Sequence, residues 1–293
     1  MSDDTIIDHS RLRLAQTVCS ATAWFDGLFG ERHDTSKARA GFGRLELSVT
    51  HSDFDGTHVG ARFNARYPLP KIEKRLHIFV ARENRDDFIA DRMEGLALRS
   101  QFLRVDTQER FVAGVGYALS EDEQHSTSFR LGARINSAPE VFAQGIHRRE
   151  ISLSERSRLF LRETVFWTNR DGFGSTTSVA ADRVLTQNLV GRIDTVGTIS
   201  EATEGVDWRT SFTLYRSLEK LQAVAGQVYV RGETRAEVPL NEYGINLIYR
   251  RPLGHEWLFA EGVVGYSWPR EKLDQRRDGS LLVGLGIEVA FEF

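Results

Sequence analysis

Arginine alternating with small or polar residues is the chemistry this sequence offers most often. Arg62, Asn64 and Arg66 take every second position of one stretch, Arg130 and Arg134 flank Gly132 in another, and Arg192 and Asp194 share a third. Arg209, Asn246 and Arg250 stand in comparable rows, and so do the carboxylates Asp182, Asp207, Glu261 and Glu288. A guanidinium is charged at any physiological pH, and its planar fork either pairs with a carboxylate or holds an anionic solute. The rows therefore read as a salt-bridged wall or as a basic path for anions. Both readings need the same residues.

A second group, His51, Ser52, Asp53, Asp55 and His58, has the residue types of a base and a nucleophile. A hydroxyl is activated only when a histidine meets it and a third group orients that histidine. Neighbours on a strand point to opposite faces, so His51 and Ser52 would not meet there. The Asp- and Gly-rich composition reads instead as a polar turn. Two histidines near carboxylates at no diagnostic spacing do not make a metal site. NRDGFGSTTS lacks the G-x-S-x-G pattern, and GVGYAL and GLG lack the full phosphate-binding fingerprint. No catalytic residue, metal ligand or cofactor is assigned.

The elements that must position these side chains have period two. Leu45, Leu47 and Val49 alternate with Glu46, Ser48 and Thr50, and after SDFDG the row Val59, Ala61, Phe63, Ala65 and Tyr67 alternates with the first arginine row. The same rhythm runs through Phe129 to Ile135, Val206 to Tyr215, Tyr243 to Arg250 and Leu258 to Trp268. The row Leu159, Leu161, Val165 and Trp167 is interrupted by Glu163, and a strand near 140–151 leaves its facing open. Residues 83–107 break the rhythm as one long connection. Counting gives about 14 strands, with 12 as the alternative count because 96–119 and 138–152 are ambiguous. Residues 9–30 read as helix, with Leu14, Val18, Ala21, Phe25 and Leu28 at helical spacing and Gly30 at the end.

The last thirteen residues, LLVGLGIEVAFEF, set Leu281, Val283, Leu285, Ile287, Val289, Phe291 and Phe293 on one face and Gly284, Gly286, Glu288 and Ala290 on the other. A long exposed strand ending on an aromatic residue would be an aggregation-prone edge in a soluble sheet, and a closed barrel removes that edge. Alternating apolar residues ending in Phe293 resemble the final strand of bacterial outer-membrane β-barrel proteins of the porin-like class. The resemblance implies an all-β, closed antiparallel transmembrane β-barrel over residues 37–293, preceded by a helical segment over 1–36 that is periplasmic or a plug. It implies residence in the bacterial outer membrane, contact with outer-membrane lipid and lipopolysaccharide, and dealings with the barrel-assembly machinery during biogenesis. Val283, Leu285, Ile287, Val289, Phe291 and Phe293 are then expected to face the membrane. Arg62, Asn64, Arg66, Arg130, Arg134, Asp182, Arg192, Asp194, Arg209, Asn246, Arg250, Glu261 and Glu288 are expected to line a lumen.

Composition bounds these readings without deciding them. The 293 residues are 41% hydrophobic, and no run approaches the roughly 18 uncharged apolar residues of a membrane-spanning helix. A mean hydropathy of -0.34 looks soluble, but a barrel shows lipid only its alternate residues. The formal net charge of -3 argues against nucleic acid as a partner. Cys19 is the sole cysteine, so no internal disulfide framework is expected. Neither LAQTVCSAT nor the charged opening MSDDTIIDHSRLR carries an apolar export run, so an exported form is expected to have lost a targeting peptide.

With both termini on the periplasmic side, PLPKIEK, SEDEQH, SLSER, TQN, SLEK and PLGHE become periplasmic turns, and 83–107 faces outward. The functional expectation is a monomeric passive channel for small polar or anionic solutes. The alternatives are a closed structural or interaction barrel with a salt-bridged lumen, and an outer-membrane lipid-active enzyme.

Overall fold

A computed structural model describes residues 42–69, 75–84, 88–91, 109–122, 124–135, 139–218, 222–255 and 257–292. The helix expected over 9–30 and the 1–36 segment lie outside the described residues, as do Phe293 and the side chain of Phe291. The strands are β1 (Phe42–Ser52), β2 (Gly56–Pro68), β3 (Leu76–Glu83), β4 (Arg110–Glu121), β5 (His125–Ile135), β6 (Glu140–Ser154) and β7 (Ser157–Thr168). The second half holds β8 (Gly172–Thr186), β9 (Leu189–Ser200), β10 (Asp207–Ser217), β11 (Ala223–Glu233), β12 (Glu242–Pro252), β13 (Leu258–Ser267) and β14 (Ser280–Glu292). Each strand pairs antiparallel with the next, and β1 closes on β14 to give a 14-strand barrel. The alternative count of 12 is thereby set aside.

Period two in the sequence becomes inside and outside in the barrel. Val59, Phe129, Leu131, Ile193, Leu247, Val264 and Leu285 are exposed outward, while Arg62, Arg134, Asp194, Arg209, Asn246, Arg250 and Glu288 point inward and are buried. An apolar outer face around a polar interior, with every backbone group paired in a closed ladder, is the form in which strands cross a membrane. The strand near 140–151 also acquires a facing. In β6, Phe142, Gln144 and Ile146 point inward and are buried, whereas Val141 and His147 point outward. Its inward row mixes aromatic, amide and aliphatic side chains, so hydropathy alone did not distinguish the two faces.

Three register shifts, at Ala118/Ser120, Ser152/Ser154 and Val184/Thr186, all lie beside short hairpin turns at one end of the barrel. At that end Asp122 accepts backbone N–H bonds from Gln124 at 2.9 Å and His125 at 2.6 Å. These bonds hold its carboxyl below the ordinary aspartate range.

The inner wall carries an apolar sector. Phe79, Ala81, Val112, Phe142 and Phe166 form a buried cluster on β3, β4, β6 and β7. Glycines on the neighbouring strands let these rings lie flat. A Cβ on Gly132 would stand 2.8 Å from Phe142 Cζ and 2.6 Å from the carbonyl oxygen of Ala113. Overpacking of this kind costs about 1–3 kcal/mol, so Gly132→Val is expected to lower the urea midpoint of the folded barrel by a corresponding amount. An unchanged midpoint would show that the ring has room to move away.

Candidate functional site

The inward rows of the barrel wall form the site, and register decides which charges meet there. Arg250 of β12 is the most enclosed of them. Its Nη1 donates to Glu261 Oε2 on β13 at 3.3 Å, and its Nη1 and Nη2 donate to Glu288 on β14 at 3.1 and 3.0 Å. Arg44 of β1 approaches Glu288 from the other side at 3.6 Å. Glu46 lies opposite both Glu288 and Arg62 in the ladder, and Arg62 pairs with Glu109, just before β4, at 3.0 Å.

Across the barrel Arg192 grips Asp182 through two bonds of 2.5 and 2.6 Å, from β9 to β8. Asp194 accepts from Ser211 at 2.6 Å. Arg209 donates to Gln227 at 3.3 Å and lies 4.8 Å over the ring of Tyr229, while Asn246 donates to the same Gln227 at 3.1 Å. Arg134 pairs with Glu140 at 3.4 Å, Arg66 lies 3.2 Å from the ring nitrogen of His77, and Arg130 sits 5.6 Å from the centroid of Phe88. Asn64 points inward on β2 and is exposed.

Most of these pairs join neighbouring strands. The guanidiniums therefore lie along the wall instead of reaching across it. In several pairs the cation also covers the anion. Side-chain exposures are 21% for Arg44 against 2% for Glu288, 18% for Arg162 against 3% for Asp91, and 49% for Arg231 against 10% for Glu242. In each of these pairs the arginine is the more accessible partner. The Arg250 cluster differs, since both sides of it are 2% exposed.

Residues 83–107 were expected to face outward as an outer connection. Part of that segment instead turns into the lumen. Phe88, Ile89, Ala90 and Asp91 are buried against the apolar sector, with Phe88 5.3 Å from Phe79 and 6.0 Å from Phe142 between ring centroids. Gln144 Nε2 donates to the carbonyls of Phe88 at 3.1 Å and Ile89 at 2.9 Å. Asp91 accepts from Thr164 Oγ1 at 2.6 Å and from Arg162. The physical reason is compositional: Phe-Ile-Ala is apolar enough to bury, and the wall offers phenylalanines for it and donors for the carboxylate that follows.

Sequence reasoning did not single out Asp91, Arg162, Thr164, Glu109 or Glu140. The alternation of β7 carried a signal for Arg162 and Thr164, while Asp91 and Glu109 lie outside any strand. The His51 group does not assemble. His51 points outward and bonds Thr57 Oγ1 at 2.8 Å, whereas Ser52 is buried and exchanges bonds with Asp55 inside the turn, at 3.1 Å to Oδ2 and 2.8 Å from the amide. Among the described residues there is no group of three or more His, Cys, Asp or Glu side chains that could hold a metal ion.

No protein-family model and no curated protein sequence matches the chain. Solved structures do resemble it. An anion-selective porin from Comamonas acidovorans is 11% identical over 86% of this chain and 98% of its own, with a TM-score of 0.49. A loop-deletion mutant of OmpT, an outer membrane protein of Vibrio cholerae, is 10% identical over 86% and 98%, with a TM-score of 0.46. The KdgM porin is 4% identical over 85% and 99%, with a TM-score of 0.41. Independently of these, an even number of antiparallel strands closed behind an apolar outer face is the outer-membrane form of a membrane protein. The chain thus has the architecture of an outer-membrane β-barrel.

Proposed function

We propose that the protein is a passive outer-membrane channel whose lumen favours small polar, preferentially anionic solutes. The observation that carries this reading is the layering of the wall charges. Acids such as Glu288, Asp91 and Glu242 lie beneath the guanidiniums that pair with them, so a nearly balanced set of charges presents a basic surface to the lumen. Basic side chains along a path lower the barrier for anions and raise it for cations. Pairing between neighbouring strands supports an open path, because it lays the long arginine side chains flat. On this reading Arg62, Asn64, Arg66, Arg130, Arg134, Asp182, Arg192, Asp194, Arg209, Asn246, Arg250, Glu261 and Glu288 line the path or brace it. The residues exposed on β14, among them Val283, Leu285 and Ile287, hold the barrel in lipid, with half-buried Val289 in the same row.

A closed barrel with a structural or interaction role is the second reading. It draws on the inward turn of residues 88–91 and on the complete burial of Arg250 and Arg134. Planar-bilayer recording separates the two. The channel reading expects single-channel steps and a reversal potential favouring chloride over potassium. Arg66→Ser and Arg231→Ser, near opposite ends of the barrel, are each expected to shift that potential toward zero. Well-folded protein without channel events would favour the closed barrel, and unchanged selectivity in both variants would remove the arginines from the role assigned to them.

A further inference from the structure

The outer face is not apolar all the way round. On β1, β2, β12, β13 and β14 the outward rows consist of residues such as Leu47, Val59, Ile245, Val264 and Leu285, and charge appears only near strand ends, as at Arg251. Between β5 and β8 the row changes. Thr127 of β5 lies opposite His147 of β6, His147 opposite Glu163 of β7, and Glu163 opposite Thr177 of β8, so four polar side chains cross four strands in one line.

Glu163 stands in the middle of β7, with Val165 exposed beside it. Its carboxylate accepts from Ser175 at 2.7 Å and from Thr177 at 2.5 Å. His147 bonds Thr127 at 3.0 Å. Further round and off that line, Thr195 of β9, opposite Val179, and Thr210 of β10 bond each other at 3.0 Å on the same outer face. An ionisable group facing hydrocarbon at mid-height is costly, and such groups are normally turned toward protein or water. Two hydroxyls soften the cost for Glu163 without removing it, because a carboxylate has acceptor capacity beyond two bonds.

We propose that this sector is the interface of a twofold-symmetric dimer in the membrane, with a second copy of this chain as the occupant. The argument is the complementarity of an imidazole donor to a charged carboxylate acceptor. His147 and Glu163 are direct cross-strand neighbours. A twofold axis parallel to the barrel axis and passing between them sets His147 against Glu163 of the partner subunit, and the same contact recurs on the other side of the axis. One patch thereby supplies both halves of an isologous interface. A single carboxylate or a single histidine would not be self-complementary in this way. The surrounding threonines extend the hydrogen-bonding surface, and the flanking leucines and valines provide the packing. The inference rests on residence of the barrel in the membrane and not on whether its lumen conducts.

The test is the mass of the full chain, refolded into lipid nanodiscs or native-like lipid, by native mass spectrometry and by crosslinking across a range of protein-to-lipid ratios. A dimer is expected. Glu163→Val is expected to weaken self-association by roughly a hundredfold, since two hydrogen bonds to a carboxylate are lost and each is worth about tenfold. The single exchanges Glu163→His and His147→Glu should each give monomers, and the double exchange should restore the dimer, because it returns an imidazole and a carboxylate to both contacts. Heat-modifiable gel migration confirms that each variant is folded. A wild-type chain that stays monomeric at every ratio, or carries only a different protein as its partner, would overturn the proposal. So would a dimer that survives Glu163→Val undiminished.

Discussion

Replacing Arg250 with methionine is expected to destabilise the folded barrel by about 3–5 kcal/mol, the usual consequence of removing one partner from a buried ion pair. Arg250 is held by Glu261 and Glu288, and all three side chains are almost wholly enclosed. Without the guanidinium, two carboxylates would remain side by side in a site that bulk water does not reach, with Glu46 next in the ladder. Phe259, whose ring centroid lies 4.3 Å from the guanidinium carbon, would also lose a cation–π contact.

Urea unfolding of protein refolded in detergent or liposomes, followed by heat-modifiable gel migration, measures the loss. A triple variant, Arg250→Met with Glu261→Gln and Glu288→Gln, should recover most of it, because the desolvation cost disappears together with the ions. If the single variant matches wild type, the cluster is better hydrated than its burial indicates, and Arg250 does not brace the wall.

Asp91→Ala is expected to have the largest effect on passage. Asp91 ties the inward-turned segment to Arg162 and Thr164, and Gln144 holds the carbonyls of Phe88 and Ile89. A hydrogen bond to a charged group contributes about 1.5–3 kcal/mol. Losing such an anchor shifts a released-versus-docked equilibrium by roughly tenfold or more, at 1.4 kcal/mol per decade. On the channel reading, the variant should show larger unitary conductance and noisier open levels, with little change in the urea midpoint, because the segment stands outside the strand ladder. Asp91→Asn, which still accepts from Thr164, should fall between. Conductance equal to wild type in both variants would show that this segment does not limit flow.

The two faces of the barrel were largely legible in the sequence, because a strand converts parity directly into inside and outside. Arg250, Glu261 and Glu288 could be placed on the inward rows by alternation alone. Their meeting could not be read, since which inward residue lies beside which depends on the stagger between strands, and no local pattern fixes that. Asp91 was less accessible still: it follows no period, and its partners lie 71 and 73 residues further along the chain. Glu163 did leave a trace as the interruption of an apolar row. Its neighbour His147 sits on the strand whose mixed inner row hid its facing, so the pair emerged only once the register between β6 and β7 was known.

The seam between β1 and β14 pairs Phe42 with Glu292 and runs through eleven residue pairs to Ser52 and Leu282. These partners come from opposite ends of the described chain, whereas every other pairing is between consecutive strands. The local hairpins can form one after another as the chain is delivered, but the last junction waits for both outermost strands. Until then two unsatisfied edges are open at once, and each is a template for the wrong neighbour. Thirteen junctions join consecutive strands and the fourteenth joins the two outermost, so a chain cut short within β14 is expected to keep its local hairpins and lose the seam that closes the barrel.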